Sequence, residues 1–228
     1  MVKVVKSESK EVEITQELIS GARKASSWTP LLPNMEIKEI PSNPHLSCIE
    51  MPPGGSYITT YPHLKEELFR LIQEFLKGVA FLHKNQVAHL DLKPENVLVS
   101  MEGEVRIIDY GTSVLARETK SLRVKGLIGT NGFMAPEILR EEEFLVFPAD
   151  IYSAGCVIRE MFLGPGTGRG KRLRLEKLVK KLKSELPEDR PTAEEAVKKA
   201  RGLSDERIVK GFRGFANIMH NISRVEAR

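Results

Sequence analysis

Residues 89–96 read HLDLKPEN, and this short stretch decides how the rest of the sequence is interpreted. Before it, from Leu64 to His83, apolar residues recur at steps of three and four, which predicts a long amphipathic helix. After it, residues 97–99 and 105–108 predict two small strands joined by a turn. The stretch is therefore a loop between rigid supports, and it brings the Asp91 carboxylate, the Lys93 ammonium group and the Asn96 amide within six residues.

Three further motifs follow this loop in a fixed order. Asp109-Tyr110-Gly111 begins thirteen residues after Asn96, and Gly129-Thr130 and Ala135-Pro136-Glu137 come later. Each motif alone carries little weight, whereas four motifs with this order and spacing form a strong signature. The set resembles the catalytic loop, the metal-binding triplet and the end of the activation segment of eukaryotic-type protein kinases. The residues KPEN at 93–96 match the serine/threonine form of that loop.

The resemblance implies a role for each polar residue of the loop. In such kinases the γ-phosphate of ATP is transferred with the help of Mg²⁺, mainly by positioning and charge neutralisation. Asp91 would accept the proton of the attacking hydroxyl, and Lys93 would hold positive charge near the phosphate. Asn96 and Asp109 would supply oxygen ligands to Mg²⁺. The residues expected to bind the cofactors, by the same resemblance, are Lys3, Glu11, Glu50, Asn96, Leu98 and Asp109.

Other residues match structural positions of the same family. In the activation segment, Thr130 would contact the catalytic aspartate and lysine. Glu137, which ends that segment, would pair with Arg190, and Asp150 would tether the backbone of the catalytic loop. These three contacts are expected to hold the site together without taking part in the chemistry.

The fold class implied is α+β, a protein-kinase-like two-lobe fold with a reduced β N-lobe and a mostly α-helical C-lobe. Residues 1–55 would form a truncated N-lobe and hinge, and residues 56–228 the C-lobe with the catalytic loop, activation segment and C-terminal helices. Residues 164–171 are expected to form a flexible surface loop. Periodicity predicts the remaining helices at residues 11–25, 151–162, 175–182, 193–200 and 205–219, and strands at residues 2–5, 35–40 and 46–51.

The N-terminal part departs from the family pattern. No G-x-G-x-x-G motif precedes Met51, so a glycine-rich phosphate-binding loop is missing from this sequence. Lys3 is the candidate for the phosphate-binding lysine, with an exposed N-terminal lysine as an equally weighted interpretation. Glu11 would pair with it, but the separation of eight residues is short for a kinase, and Glu13 is an equal competitor.

Two further departures concern nucleotide binding and regulation. The backbone carbonyl of Glu50 would accept a hydrogen bond from the adenine amino group, but the usual backbone donor falls at Pro52, which has no N–H. Losing that hydrogen bond would cost about 0.5–1.5 kcal/mol. Leu90 replaces the arginine that usually precedes the catalytic aspartate, as in non-RD kinases, so phosphorylation of the activation segment is not expected to switch the site.

Two functions from different classes remain open on these residues. The first is a minimal serine/threonine kinase that acts on a protein substrate, and the second is a pseudokinase or kinase mimic that acts by binding a partner protein. A partner that completes or covers the N-lobe in trans would join the two. A phosphotransferase for small molecules is a weaker alternative.

The composition of the chain indicates which classes of binding partner and which cellular compartment to expect. The formal net charge is +4, but basic and acidic residues are interleaved except around residues 171–183, so nucleic-acid binding is not expected. The sequence contains no apolar run of the roughly 20 residues that a bilayer requires. Two cysteines and a charged N-terminal stretch indicate a cytoplasmic, intracellular protein.

Overall fold

The structure is a computed structural model that describes residues 2–24, 35–50, 55–101, 103–117, 121–163 and 166–203. A small lobe built on a β-sheet is followed by a larger, mostly helical lobe, so the predicted α+β class is confirmed. The helix predicted at 205–219 and Pro52, which was expected to lie in the hinge, are outside the described residues. In the described ranges no helix is both long and apolar enough to span a membrane.

The small lobe consists of an antiparallel sheet and one helix. Its elements are β1 (Val2–Lys6), α1 (Lys10–Lys24), β2 (Glu36–Ile40) and β3 (Asn43–Glu50). The strand order is β1-β3-β2, with β3 in the centre. Lys3 lies opposite Ile49 in the register, and cross-strand partners point to the same face of a sheet. Ile14 and Leu18 of α1 are buried in the main core, so the helix is fixed against the rest of the molecule.

The large lobe is organised around two long helices. Its helices are α2 (Leu64–Lys84), α3 (Pro136–Leu139), α4 (Val146–Leu163), α5 (Arg169–Leu182) and α6 (Ala193–Arg201). One face of α2 is buried, as its apolar spacing predicts, and α4 is buried on nearly all sides. Thr192 caps α6 in a reciprocal capping box with Glu195, which confirms the predicted start of this helix.

Two helix starts differ from the prediction by more than one residue. α4 begins five residues before Ile151, because Pro148 lies in its first turn, where proline needs no hydrogen-bond partner. α5 begins at Arg169, within the segment 164–171 that was expected to be a loop, so that expectation is wrong for its last residues. Arginine and lysine are good helix formers, and the apolar residues further along α5 anchor the whole helix in the core.

Short strands hold the ends of the catalytic loop in place. They are β4 (Ser56–Tyr57), β5 (Val87–Ala88), β6 (Val97–Val99), β7 (Val105–Ile107), β8 (Val114–Leu115), β9 (Arg123–Val124) and β10 (Phe144–Leu145). β5 pairs with β8 directly before the loop, and β6 pairs with β4 and β7 directly after it. Both loop ends are thereby fixed to paired, buried strands, while β9 pairs with β10 farther along the chain.

Candidate active site

The catalytic loop is tied to α4 by one buried carboxylate. Asp150 is fully buried, and its two oxygens accept hydrogen bonds from the backbone N–H of His89 at 2.7 Å and of Leu90 at 2.8 Å. The ring Nε2 of His83 lies 3.0 Å from the same carboxylate. Leu90 has a φ of 61°, a left-handed conformation that costs free energy for a residue with a side chain. The hydrogen bonds from Asp150 therefore hold a strained turn immediately before Asp91.

His89 connects the loop to the strand that leads to Asp109. Its Nδ1 accepts a hydrogen bond from the backbone N–H of Asp91 at 3.3 Å, so the proton sits on Nε2, which donates to the carbonyl of Ile108 at 3.0 Å. Burial of the ring lowers the pKa of His89 below its usual value, against the pull of the nearby aspartates. A neutral His89 thus lies between the segment that carries Asp91 and the segment that carries Asp109.

The lowered pKa of His89 predicts a loss of stability on acidification. Below a pH of about 6.5 the unfolded chain takes up a proton on this residue, whereas the folded protein does not. The free energy of unfolding should therefore fall by up to about 1.4 kcal/mol per pH unit until the folded pKa is reached. Urea unfolding between about pH 7.5 and pH 5.5 should show a flatter dependence in His89→Gln than in the unmodified chain.

An exposed histidine provides the matched control for this measurement. His45 lies on the surface, so His45→Gln removes an imidazole without removing a buried one. The charges of Asp150, Asp91 and Asp109 raise the pKa of His89, but the effect of burial is larger. An identical slope in His89→Gln and the unmodified chain would contradict the assignment of a buried neutral ring.

Asp91, Lys93 and Thr130 form a closed triangle of polar contacts. The ammonium group of Lys93 lies 2.8 Å from Asp91 Oδ2 and 2.8 Å from Thr130 Oγ1, and the hydroxyl of Thr130 donates to Asp91 Oδ1 at 2.7 Å. A Cβ at Gly129 would lie 2.7 Å from the carbonyl oxygen of Leu90, so only glycine allows this approach of the activation segment. The triangle fixes the orientation of the Asp91 carboxylate.

Asn96 is oriented by the same loop. Its amide Nδ2 donates to the backbone carbonyl of Asp91 at 2.9 Å. That contact assigns the nitrogen side of the amide and turns Oδ1 away from Asp91. The nitrogen of the Asn96 amide therefore stabilises the catalytic loop, while its oxygen is available as a metal ligand.

Lys3 forms ion pairs with both Glu11 and Asp109, which lie far apart in the sequence. The ammonium group of Lys3 lies 2.6 Å from Glu11 Oε1 and 2.8 Å from Asp109 Oδ1. Burial alone would raise the pKa of Asp109. The hydrogen bond and the positive charge of Lys3 lower it, and the net result is a lowered pKa. Burial alone would lower the pKa of Lys3, but its bonds to Asp109 and Glu11 raise it. Both groups are therefore charged at neutral pH. Glu13, the competing candidate, instead pairs with Arg117 at 3.1 Å.

A cleft of about 320 Å³ opens beside this chain of charges. Lys3, Glu11, Asn96 and Asp109 lie on its wall with several apolar residues that the sequence did not single out. Those described apolar and aromatic lining residues are Val2, Met35, Ile49, Ile108 and Tyr110. Ile108 could have been found from the sequence because it directly precedes Asp109, whereas Ile49 is identified only by its pairing with Lys3 in the sheet.

The other two expected cofactor residues lie apart from this group. Leu98 is on β6 and only 5% exposed, and it is not among the described residues that line the cleft. Glu50 ends β3, and its carboxylate is bound by Lys38 at 2.6 Å on the surface. Its backbone carbonyl, rather than its side chain, was the expected contact, and residues 51–54 that would complete the hinge lie outside the described residues.

The donor set suits a hard divalent cation. Asn96 and Asp109 supply an amide oxygen and a carboxylate, and Mg²⁺ prefers oxygen ligands while keeping several of its waters. Within the described ranges no group of three or more His, Cys, Asp or Glu side chains could hold a metal. Two protein oxygen ligands fit Mg²⁺, which is usually held by one or two carboxylates together with waters and phosphate oxygens.

The end of the activation segment is fixed by a buried ion pair. The guanidinium group of Arg190 binds both carboxylate oxygens of Glu137, at 2.7 and 2.8 Å, and also donates to the carbonyl of Pro148 at 3.0 Å. The side chains of Glu137 and Arg190 are 4% and 0% exposed. A bidentate pair of this kind has a defined geometry, so it fastens α3 to α4 and to the segment before α6.

Comparison with known proteins places these residues in a wider context. The family model described as protein kinase domain matches residues 41–172. Rabbit serine/threonine-protein kinase 17A is 33% identical over 161 residues, covering 59% of this chain and 40% of that protein. Rat rhodopsin kinase is 39% identical over 114 residues, covering 49% of this chain and 20% of that protein.

A third relative also matches about half of this chain. Cyclin-dependent kinase 4 of Xenopus laevis is 38% identical over 114 residues, covering 50% of this chain and 32% of that protein. The chain thus spans 20–40% of the length of these curated relatives. The matched family region includes the catalytic loop, Asp109 and the activation segment, but begins after Lys3 and Glu11.

Proposed function

Because this chain belongs to the protein kinase domain family, whose model matches more than half of it, we propose that it is a minimal serine/threonine protein kinase. It transfers the γ-phosphate of ATP to a hydroxyl group of a protein substrate. The observation that carries the proposal is the convergence of Lys3, Asn96 and Asp109 on one cleft, next to an oriented Asp91.

The residues of the site divide the work of phosphoryl transfer. Asp91, held by Thr130 and Lys93, accepts the proton of the substrate hydroxyl as its oxygen attacks the γ-phosphorus. The bond from that phosphorus to the oxygen bridging to ADP breaks, and ADP leaves with the electron pair. Lys93 keeps positive charge beside the reacting oxygens, and Lys3 binds the anionic phosphates from the other side.

Asn96 and Asp109 would hold Mg²⁺, which when bound neutralises charge on the phosphates of ATP. The lowered pKa of Asp109 keeps its carboxylate ionised for this task over the whole neutral range. Apolar residues such as Ile49 and Ile108 give the adenine ring a place to stack out of water. We further propose that residues 1–55 act as a shortened N-lobe and residues 56–228 as the C-lobe.

A kinase mimic that acts by binding a partner protein is the second candidate. The observation that favours it lies on β1, where the side chains of Val2 and Val4 are 59% and 57% exposed. β1 pairs only with β3 among the described strands, so one of its edges is open to a further strand. A partner that adds strands there would cover these valines and either activate the site or use the chain as a scaffold.

The test is transfer of labelled γ-phosphate from ATP and Mg²⁺ to the chain itself or to a generic basic protein. We expect transfer by the unmodified chain and a loss of at least about 100-fold in Asp109→Asn, since one anionic metal ligand is removed. Circular dichroism should show the same fold in both. Equal labelling by both proteins, or no labelling by either, would contradict the proposal and favour the binding function.

A further inference from the structure

The exposed side of α5 carries a strong, uncompensated positive charge. The helix contains seven basic residues and a single acidic one, Glu176, in fourteen positions. Several of the basic residues already have partners: Arg172 pairs with Glu176 at 3.8 Å, and Lys171 and Arg174 lie over the ring of Phe69. Among the described contacts Arg169, Lys177, Lys180 and Lys181 have no such partner, and all four are exposed.

Three cations and one leucine define the free stripe of this helix. Arg169, Lys177 and Lys180 are exposed, and the described residues provide no ion-pair partner within 4.0 Å for any of them. Leu173 lies between them and is 52% exposed. Steps of four, four and three residues place Arg169, Leu173, Lys177 and Lys180 on one face of the helix. We call these four side chains the α5 stripe.

We propose that the α5 stripe binds an acidic, extended segment of a protein partner that has an apolar residue between its acidic residues. Residues four apart on a helix are separated by about 6 Å along the axis, and residues two apart in an extended peptide by nearly 7 Å. A segment of the pattern acid-x-apolar-x-acid therefore aligns its acids with Arg169 and Lys177 and its apolar side chain with Leu173. Because the chain is a proposed protein kinase, this partner is a substrate, and that part of the inference rests on the proposed function.

The same residues disfavour the other anionic partners. A helix that lies in a membrane surface buries its apolar face in lipid, but Leu175, Leu178, Val179 and Leu182 of α5 are already buried in the protein core. Binding of single-stranded nucleic acid relies on aromatic side chains that stack with bases, and α5 has none. An exposed leucine between cations instead matches a peptide that offers both carboxylates and an apolar group.

The test measures direct binding of a labelled peptide, without nucleotide. The probe is fluorescein-labelled Glu-Glu-Gln-Leu-Gln-Glu-Glu, followed by fluorescence anisotropy at low ionic strength, where exposed charges are least screened. We expect saturable binding, and a loss of about tenfold or more in the triple variant Arg169→Glu, Lys177→Glu, Lys180→Glu. Leu173→Ser should weaken binding about threefold through lost apolar contact.

Matched variants separate this surface from general charge effects. Lys6→Glu, Lys24→Glu and Lys84→Glu together make the same change in net charge at exposed sites outside α5, and this triple variant should bind the peptide within about twofold of the unmodified chain, apart from long-range charge. Leu186 is 53% exposed, so Leu186→Ser is the control for Leu173→Ser and should leave binding unchanged. Equal losses in the two triple variants would overturn the proposal.

The remaining outcomes decide the class of partner. Absence of peptide binding, or tighter binding to phosphatidylserine vesicles or to a single-stranded oligonucleotide, would overturn the assignment to an acidic polypeptide. The measurement is repeated with Asp109→Asn, in which peptide binding should be unchanged. If phosphate transfer fails everywhere but the peptide still binds through the α5 stripe, the proposed function falls while the docking surface stands.

Discussion

Asp91→Asn is expected to lower kcat for phosphate transfer by about 10²–10⁴-fold with little change in KM for ATP. The substitution keeps the shape of the side chain but removes its ability to accept a proton. Thr130 and Lys93 each contact one oxygen of the Asp91 carboxylate. In asparagine one of these oxygens becomes an amide nitrogen, and the other loses its negative charge. The loss therefore combines removal of the base with disturbance of its orientation, and both act on the chemical step rather than on nucleotide binding.

An exposed aspartate gives the matched control for this substitution. Asp189 lies on the surface in the turn before α6, so Asp189→Asn changes the charge equally without touching the cleft. We would measure steady-state rates with a peptide substrate and the thermal melting of the unmodified chain, Asp91→Asn and Asp189→Asn. A kcat for Asp91→Asn equal to that of Asp189→Asn would show that Asp91 is not the base.

The local parts of the site could be predicted because their residues are adjacent in sequence. Asp91, Lys93 and Asn96 share one loop, and the strands on both sides restrict how that loop can be arranged. The long apolar patterns of α2 and α4 also identified the helices that support the loop. Burial of so many residues at helical spacing leaves few alternatives for either segment.

The contacts of α1 could not be settled from the sequence. Glu11 and Glu13 both lie in its first turn, so either could have faced Lys3. The helix phase decides between them: Glu11 turns toward the cleft with Thr15, whereas Glu13 and Glu17 both turn toward Arg117. That phase depends on how Ile14 and Leu18 pack into the core, which is a tertiary constraint with no local signature.

Several small strands could not be predicted from the sequence either, because they are too short. Elements of two residues, such as β5 and β8, are too short for any alternation of apolar and polar residues to appear. They form because the catalytic loop and the segment after Asp109 run side by side once the core has assembled. Their pairing is therefore a consequence of the fold.

Arg190→Met is expected to lower the free energy of unfolding by about 3–5 kcal/mol, the largest change in stability that the described contacts suggest. Its side chain is fully buried and bound to both oxygens of Glu137, whose side chain is 4% exposed. Removing the guanidinium group leaves a charged carboxylate in the interior without its partner. Arg140→Met is the surface control: Arg140 is 47% exposed in its ion pairs, and its loss should cost about 0–1 kcal/mol.

A double-mutant cycle separates the ion pair from the other bonds of Arg190. Glu137→Leu together with Arg190→Met removes both charges, so the double variant should be more stable than the sum of the single losses predicts, by about 0.5–3 kcal/mol. Recovery should be incomplete, because the carbonyls of Ser184 and Pro148 also lose a donor. Strictly additive losses in urea unfolding at constant m would mean that the pair does not couple α3 to the core. If the coupling is present, the single variants should also lose phosphate transfer while still folded, because Thr130, seven residues before Glu137, would no longer be held against Asp91.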